Sequence, residues 1–241
     1  MTKRNHDESE SGGDDDVASK SQPKLKLYYF NIKGKGEPIR LFCAYHNLKL
    51  EDVRFQSYEE FLKMKESGQL AFGQVPLLDI DDSKYQLVQT AAILRYLAKI
   101  AGDGKSSYPS DDPILAAKID AVVDQEVDAF IGTTVASYST RFGIPIDDEE
   151  YKKKIYELQS SDILPRHLTN LEKILKESTT GWLVNTEEPT IADFVWYSRL
   201  KHYIPEKEEL SDDIKSLKNF KFLQEFITKF DSLPAIQEYY K

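Results

Sequence analysis

The chain is poor in the residues that most often announce chemistry. It has one cysteine, Cys43, so no internal disulfide can form. The N-terminus also lacks the apolar core of a signal peptide, and together these point to a reducing, cytoplasmic setting. No apolar run approaches the roughly 18–20 residues needed to span a bilayer, so no membrane is expected as a partner. The four histidines, His6, His46, His167 and His202, are scattered and form neither HExxH nor HxH. Zinc and nucleophilic-triad chemistry therefore have little support, and no metal is expected. Basic residues are outnumbered, and the net charge is −9. Residues 1–22 hold three basic and six acidic side chains, which leaves −6 on the remainder. That is a poor electrostatic footprint for a nucleic-acid binder, and DNA and RNA are not expected partners.

What is present falls into three parts. Residues 1–23 are almost devoid of apolar side chains and read as a disordered acidic tail. Over residues 24–102 strands and helices alternate. In Leu25-Lys-Leu-Tyr-Tyr29 the period of two puts Leu25, Leu27 and Tyr29 on one face and Tyr28 on the other. Glu37-Pro38 opens a helix with proline where no backbone donor is lost, and Ile39, Leu41, Phe42 and Tyr45 supply its apolar side. A strand over 51–55, a loop or short helix over 58–67 and a strand over 74–80 follow. Asp81-Asp82-Ser83 turns the chain into a hairpin arm over 84–88. A helix then begins at Gln89-Thr90, with Ala92, Ile93, Tyr96, Leu97 and Ile100 at spacings of three and four. The order is a βαβ unit followed by a ββα unit, an α/β domain.

Residues 103–112 have the composition of a linker. Residues 113–241 read as an all-α domain. One apolar stripe comprises Ile119, Val122, Val123, Val127 and Phe130; another runs through Ile155, Leu158, Ile163, Leu164, Leu168, Leu171 and Leu175. Thr190-Ile-Ala-Asp193 has the spacing of a capping box ahead of Phe194-Val-Trp196.

Few constellations suggest a site. Gly34-Lys-Gly36 lacks the pattern of a phosphate loop, and its glycines are better explained by close approach to another backbone or a ligand. Asp120, Asp124 and Asp128 line one helix face, where solvent ranks first, a cationic partner second and a metal last. Thr90 reads as an N-cap, and the free N–H groups of the same helix end would seat a carboxylate. Val75-Pro76 marks an edge or tight turn that is a candidate cis bond and would leave backbone groups free for an extended peptide ligand.

YFNxxGxGEPIR (29–40), FGQVPLL (72–78), QTAAILRYLA (89–98) and TxADF (190–194) together resemble cytosolic glutathione S-transferases, the sigma class most closely, over roughly residues 24–241. The resemblance implies a thioredoxin-like N-terminal domain, an all-helical C-terminal domain and a homodimer. It implies conjugation of glutathione, as co-substrate with no other cofactor, to hydrophobic electrophiles, with reduction of organic hydroperoxides as a second activity to be tested. A non-catalytic binding or structural protein on the same scaffold, as in the lens S-crystallins, is the alternative.

The resemblance also assigns roles. Tyr29 matches the catalytic tyrosine, whose hydroxyl donates to the glutathione sulfur. Gln89 and Thr90 match the pair that holds the γ-glutamyl carboxylate. Val75, before the cis-proline Pro76, would pair its backbone with the cysteinyl unit, while Gln74 and Lys65 meet the glycyl end. Asp128 would reach across the dimer towards the γ-glutamyl ammonium. Phe61 stands where many sigma members have Trp, and Lys35 where Arg is frequent, supplying charge without the planar fork. The electrophile pocket is expected around Ile32, Phe130, Thr134 and Tyr138. The aromatic and cysteine residues of the prostaglandin D synthases in this class are not evident near Val195 and Arg199, so that isomerase activity is not expected.

Overall fold

The computed structural model describes residues 22–101, 107–109, 111–143, 146–206 and 210–241. The expected disordered tail, except its last two residues, and half of the expected linker lie outside them. Four strands, β1 (Leu25–Phe30), β2 (Leu50–Phe55), β3 (Leu77–Ile80) and β4 (Tyr85–Val88), form one mixed sheet in the order β2-β1-β3-β4. β1 runs parallel to β2, with Tyr29 opposite Arg54, and antiparallel to β3. Helices α1 (Glu37–Tyr45), α2 (Tyr58–Glu66) and α3 (Thr90–Ile100) complete a thioredoxin-like domain. β3 starts three residues later than the periodicity suggests, because Pro76 has no N–H for the ladder; the Val75–Pro76 peptide is cis. The segment after β2 is a full helix. Ser57 caps it by accepting from the Glu60 N–H, and the Glu60 carboxylate accepts from the Gln56 N–H.

The second domain is helical. It comprises α4 (Pro113–Ser137), α5 (Glu149–Leu158), α6 (Leu164–Glu177), α7 (Ile191–Ser198), α8 (Ile204–Glu206), α9 (Asp212–Lys215), α10 (Lys221–Asp231) and α11 (Pro234–Tyr239). Wide π-turns, Gln159–Ile163 and Arg199–Tyr203, join α5 to α6 and α7 to α8. The Thr190–Asp193 capping box forms as expected: Asp193 accepts from the Thr190 N–H (2.7 Å) and the Thr190 hydroxyl (2.8 Å), and also from the Leu183 N–H (2.9 Å).

One apolar core crosses both domains, from Leu25, Leu27 and Leu78 through α1 and α3 to Phe194, Trp196 and Leu168. A smaller one, Phe55, Phe61, Leu70 and Leu77, lies on the other sheet face, where Tyr28 packs. Several expected stripe positions move. On α3 Ala92 is exposed and Leu94 buried. Leu158 is exposed, and the π-turn buries Gln159 in its place. On α4 Val127 is exposed while Glu126 is only 2% exposed, completing the stripe of Ile119, Val122, Val123 and Phe130. A carboxylate is tolerated there because two cations meet it. The expected linker is also partly structural: Ser107 is buried, its hydroxyl donating to the Pro189 carbonyl and contacting His46 Nε2.

Candidate functional site

A cleft of about 510 Å³ lies between the end of β1, the cis-proline loop, the head of α3, and the faces of α4, α7 and α8. Its floor is Tyr29, the last residue of the Leu25-Leu27-Tyr29 face and 7% exposed. The chain then turns through Asn31–Gly36, and the Lys35 N–H donates to the Tyr29 hydroxyl oxygen over 2.9 Å. The turn can come this close because of its glycines. A Cβ on Gly34 would sit 2.7 Å from the hydroxyl oxygen, and one on Gly36 2.7 Å from ring carbon Cδ1. The glycines thus serve the approach of a side chain, where sequence suggested another backbone or a ligand; Gly34 also lines the cleft. Arg40 holds the turn from beneath, donating to the carbonyl of Ile32 (3.0 Å) and pairing with Asp52 and Glu37. Burial raises the Tyr29 hydroxyl above its ordinary value, against the lowering pull of the Lys35 N–H and of Arg199 and Arg40. It therefore holds its proton at neutral pH. With the oxygen already accepting from Lys35, the hydroxyl can donate to a ligand in the cleft.

Most of the expected glutathione residues converge here. Gln74, Val75, Pro76, Phe61, Lys35, Gln89 and Thr90 all line the cleft. Phe61 is an apolar wall, packed against Phe30 at 5.1 Å. Thr90 is not an N-cap: it is the first residue of α3, and its hydroxyl donates to the Lys35 carbonyl over 2.9 Å. The cap position belongs to Gln89, which takes φ 74° and ψ 117°, a sparsely populated conformation for a residue with a side chain. Lys65 and Asp128 are exposed and do not line the cleft. Lys65 lies along Gly73 on α2, and Asp128 faces outward from α4 beside Val127.

The electrophile side holds Ile32, Thr134 and Tyr138, joined by Val195, Ser198, Arg199, His202 and Tyr203. Phe130 is buried behind them, packed on Tyr203 at 5.3 Å, and does not line the cleft. The acidic row on α4 divides. Asp120 pairs with Arg95 (2.7 Å) and accepts from the Tyr108 hydroxyl, so the solvated reading fails for it. Asp124 lines the cleft.

Sequence reasoning missed three charged or titratable residues. Glu126 accepts from Lys35 Nζ at 2.6 Å through one oxygen and from Arg199 Nε through the other. Burial opposes its ionisation, yet the Arg199 and Lys35 cations outweigh that and hold its carboxyl below the ordinary range. Burial and the Arg199 cation lower Lys35 to about 8, against the pull of Glu126. His202 contacts Lys33 Nζ through Nδ1 (3.0 Å) and the Tyr240 hydroxyl through Nε2 (2.7 Å). Burial and the Lys33 and Lys201 cations press His202 down to about 4. The Tyr240 hydroxyl in turn donates to Glu37 at 3.0 Å. One sequence signal could have found Glu126: a charged residue at i+7 of an otherwise apolar stripe, where burial demands a partner.

Comparison with known proteins identifies the family. The N-terminal domain of glutathione S-transferases matches residues 25–99, and their C-terminal domain matches residues 140–241. The chain is 33% identical to Glutathione S-transferase A4 of Mus musculus over 90% of this chain and 87% of that protein. It is 33% identical to a Glutathione S-transferase of Anopheles gambiae over 86% of this chain and 90% of that one. Prostaglandin synthase D of Nilaparvata lugens superposes with a TM-score of 0.74 at 27% identity, covering 90% of this chain and 97% of that one. With its domains, its sequence and its architecture in agreement, the chain belongs to the glutathione S-transferase family.

Proposed function

We propose that the chain conjugates the glutathione thiolate to hydrophobic electrophiles, with Tyr29 as the group that activates the thiol. The observation that carries this reading is the Tyr29 hydroxyl, buried at the cleft floor with its oxygen accepting from the Lys35 N–H. A protonated hydroxyl held in this way donates to a sulfur above it and favours thiolate over thiol. A hydrogen bond to a charged atom contributes roughly 1.5–3 kcal/mol, and each pKa unit corresponds to about 1.36 kcal/mol. One such bond thus lowers the thiol by about one to two units, enough for substantial thiolate near neutral pH without a general base. The same thiolate would serve to reduce organic hydroperoxides.

Gln89 and Thr90 would hold the γ-glutamyl carboxylate at the head of α3, the backbone of Val75 the cysteinyl unit, and Gln74 and Lys65 the glycyl end. Asp128 would act across a homodimer. Its exposure beside Ile131, itself more than half exposed, supports that face as the one a second copy covers. A sigma-like class is supported by the tyrosine directly before Phe30-Asn31. A cytoplasmic setting is supported by the single, unpaired and buried thiol, and a detoxifying role would follow from conjugation of hydrophobic electrophiles. The proposed domain limits are 24–102 and 113–241.

The test is turnover of a chloronitrobenzene with glutathione by wild type and Tyr29→Phe. Turnover is expected to fall at least tenfold while glutathione affinity is nearly kept. Unchanged turnover would remove Tyr29 from the mechanism. Retention on immobilised glutathione with no turnover of any electrophile would favour the non-catalytic, S-crystallin-like alternative.

A further inference from the structure

Helix α2 covers only one end of its sheet face. Phe55, Phe61 and Leu77 pack there, and beyond Tyr28 the face opens into a groove of about 540 Å³ over the starts of β1 and β2 and the end of β3. The groove is polarised. Lys26 and Lys49 stand on its β1–β2 side and Asp79 and Asp82 on its β3 side, with Leu25, Leu50 and Tyr28 as its apolar part. Two surface ion pairs cross it, Lys24–Asp82 (2.6 Å) and Lys26–Glu51 (3.1 Å), and exposed pairs of this kind are weak and exchange readily. Among the described residues Lys49 makes no ion pair. The described chain starts at Gln22, and Lys24 already lines the groove, so residues 1–21 leave from its rim. They precede the N-terminal family domain, and the transferase reading gives them no task. Their last part runs Asp14-Asp-Asp-Val-Ala-Ser-Lys20: three carboxylates, two apolar residues, a serine and a cation.

We infer that residues 14–20 of the chain's own N-terminal tail dock in this groove. Asp14, Asp15 and Asp16 lie on Lys26 and Lys49, Val17 lies against Leu50 and Tyr28, and Lys20 meets Asp82. The spans agree. The strand order β2-β1-β3 puts two inter-strand spacings, about 10 Å, between the basic and acidic sides. Four extended residues, from Asp16 to Lys20, cover up to roughly 13–14 Å. The next four return the chain to Lys24, whose N–H donates to Asp81 and whose ammonium donates to Asp82. The order of charges agrees as well. The cation of the tail comes nearest the Asp81–Asp82 turn, and the acidic run comes further along, over the lysines. The opposite placement would set Lys20 against Lys49 and the carboxylates against Asp82, like charge on like. The inference is independent of the transferase reading, because the groove lies outside the cleft.

The experiment attaches a nitroxide to the full chain through Gly13→Cys and reads by NMR the relaxation it adds to backbone amides. Cys43 is buried and does not compete for the label. Strong enhancement is expected at Lys49 and Glu51, because docking brings residue 13 to the β2 side. It should fall at least fivefold in Lys26→Glu/Lys49→Glu, and also in 1 M salt, where the Debye length is about 3 Å. The tail-only variant Asp14→Asn/Asp15→Asn/Asp16→Asn should lower it likewise without touching the folded domain, and serves where the groove variant fails to fold. Combining Lys26→Glu/Lys49→Glu with Asp14→Lys/Asp15→Lys/Asp16→Lys should restore it, which a tail merely tethered at Gln22 would not do. Enhancement that is equal in wild type and the charge variants, or that the combined reversal does not restore, would overturn the proposal. So would enhancement passed between chains, read by mixing nitroxide-bearing chains with isotope-enriched chains that carry no nitroxide. That outcome would give the groove to a second copy.

Discussion

The Lys35 N–H donates to the Tyr29 hydroxyl oxygen over 2.9 Å, which ties the end of β1 to the turn that leaves it. The same turn is held by Thr90 through the Lys35 carbonyl and by Glu126 through the Lys35 ammonium. One residue therefore joins three walls of the cleft, and small changes around it should be felt at the floor.

Gly36 has an ordinary φ of −80°, so only space forbids a side chain there. An alanine Cβ would lie 2.7 and 2.9 Å from two Tyr29 ring carbons, and the ring must move. Gly36→Ala is expected to cost about 1–3 kcal/mol of stability, the usual cost of overpacking. Turnover should fall at least tenfold, because displacement of a reacting group by about 1 Å is enough for that. Urea denaturation and steady-state kinetics measure the two effects, and a variant equal to wild type in both would contradict the contact.

Glu126 neutralises a nine-tenths buried guanidinium. Glu126→Gln should destabilise by about 3–5 kcal/mol, since it leaves a buried charge without its partner. Glu126→Gln/Arg199→Gln should recover much of that loss, and a double-mutant cycle on urea midpoints reads the coupling. Additive single effects would mean that the pair does not interact.

His202 gives a pH dependence. Its folded value of about 4 lies below the ordinary 6.5, so the unfolded chain binds the proton first as pH falls. The stability concerned is fully present above pH 6.5 and is lost progressively down to about pH 4, by at most about 3 kcal/mol at 1.36 kcal/mol per unit. His202→Gln lacks this loss. The variant should be less stable than wild type at pH 7, and the gap should narrow as pH falls to 4.5. A gap that is constant or widens over that range would count against the His202 assignment.

Asp193 is fully buried and accepts from three donors. Asp193→Ala strands the Leu183 and Thr190 N–H groups, each costing about 1–3 kcal/mol when unsatisfied in the interior. A loss of about 3–5 kcal/mol in chemical denaturation is expected, and one under about 1 kcal/mol would show that the cap is dispensable.

The parts of this molecule that sequence revealed are those governed by local rules. The alternation of Leu25, Leu27 and Tyr29, the proline start of α1 and the Thr190–Asp193 box each depend on neighbours within a few residues. The cleft's ligand-holding residues became legible only through family motifs, since periodicity gives Tyr29 a face and not a task. Glu126 and Arg199 escaped because their meaning lies in a pairing 73 residues apart in the chain. Hydrophobicity favoured Val127 for the core, whereas two distant cations made its charged neighbour the buried one.

The π-turn at Arg199–Tyr203 sets how the second domain presents itself to a substrate. A regular helix turns about 100° per residue, having 3.6 residues per turn, and a π-turn holds one residue more than that ladder needs. Here the Ile204 N–H reaches back five residues to the Arg199 carbonyl. Deleting a single residue from the turn would close it into the regular ladder with Ile204 and Glu206 left near their present bearing, because a return over five residues here and over four in a regular helix each bring the chain round about once. The electrophile wall can thus change its length by one residue at this turn without re-aiming α8, and with Tyr29 and the glutathione side left where they are.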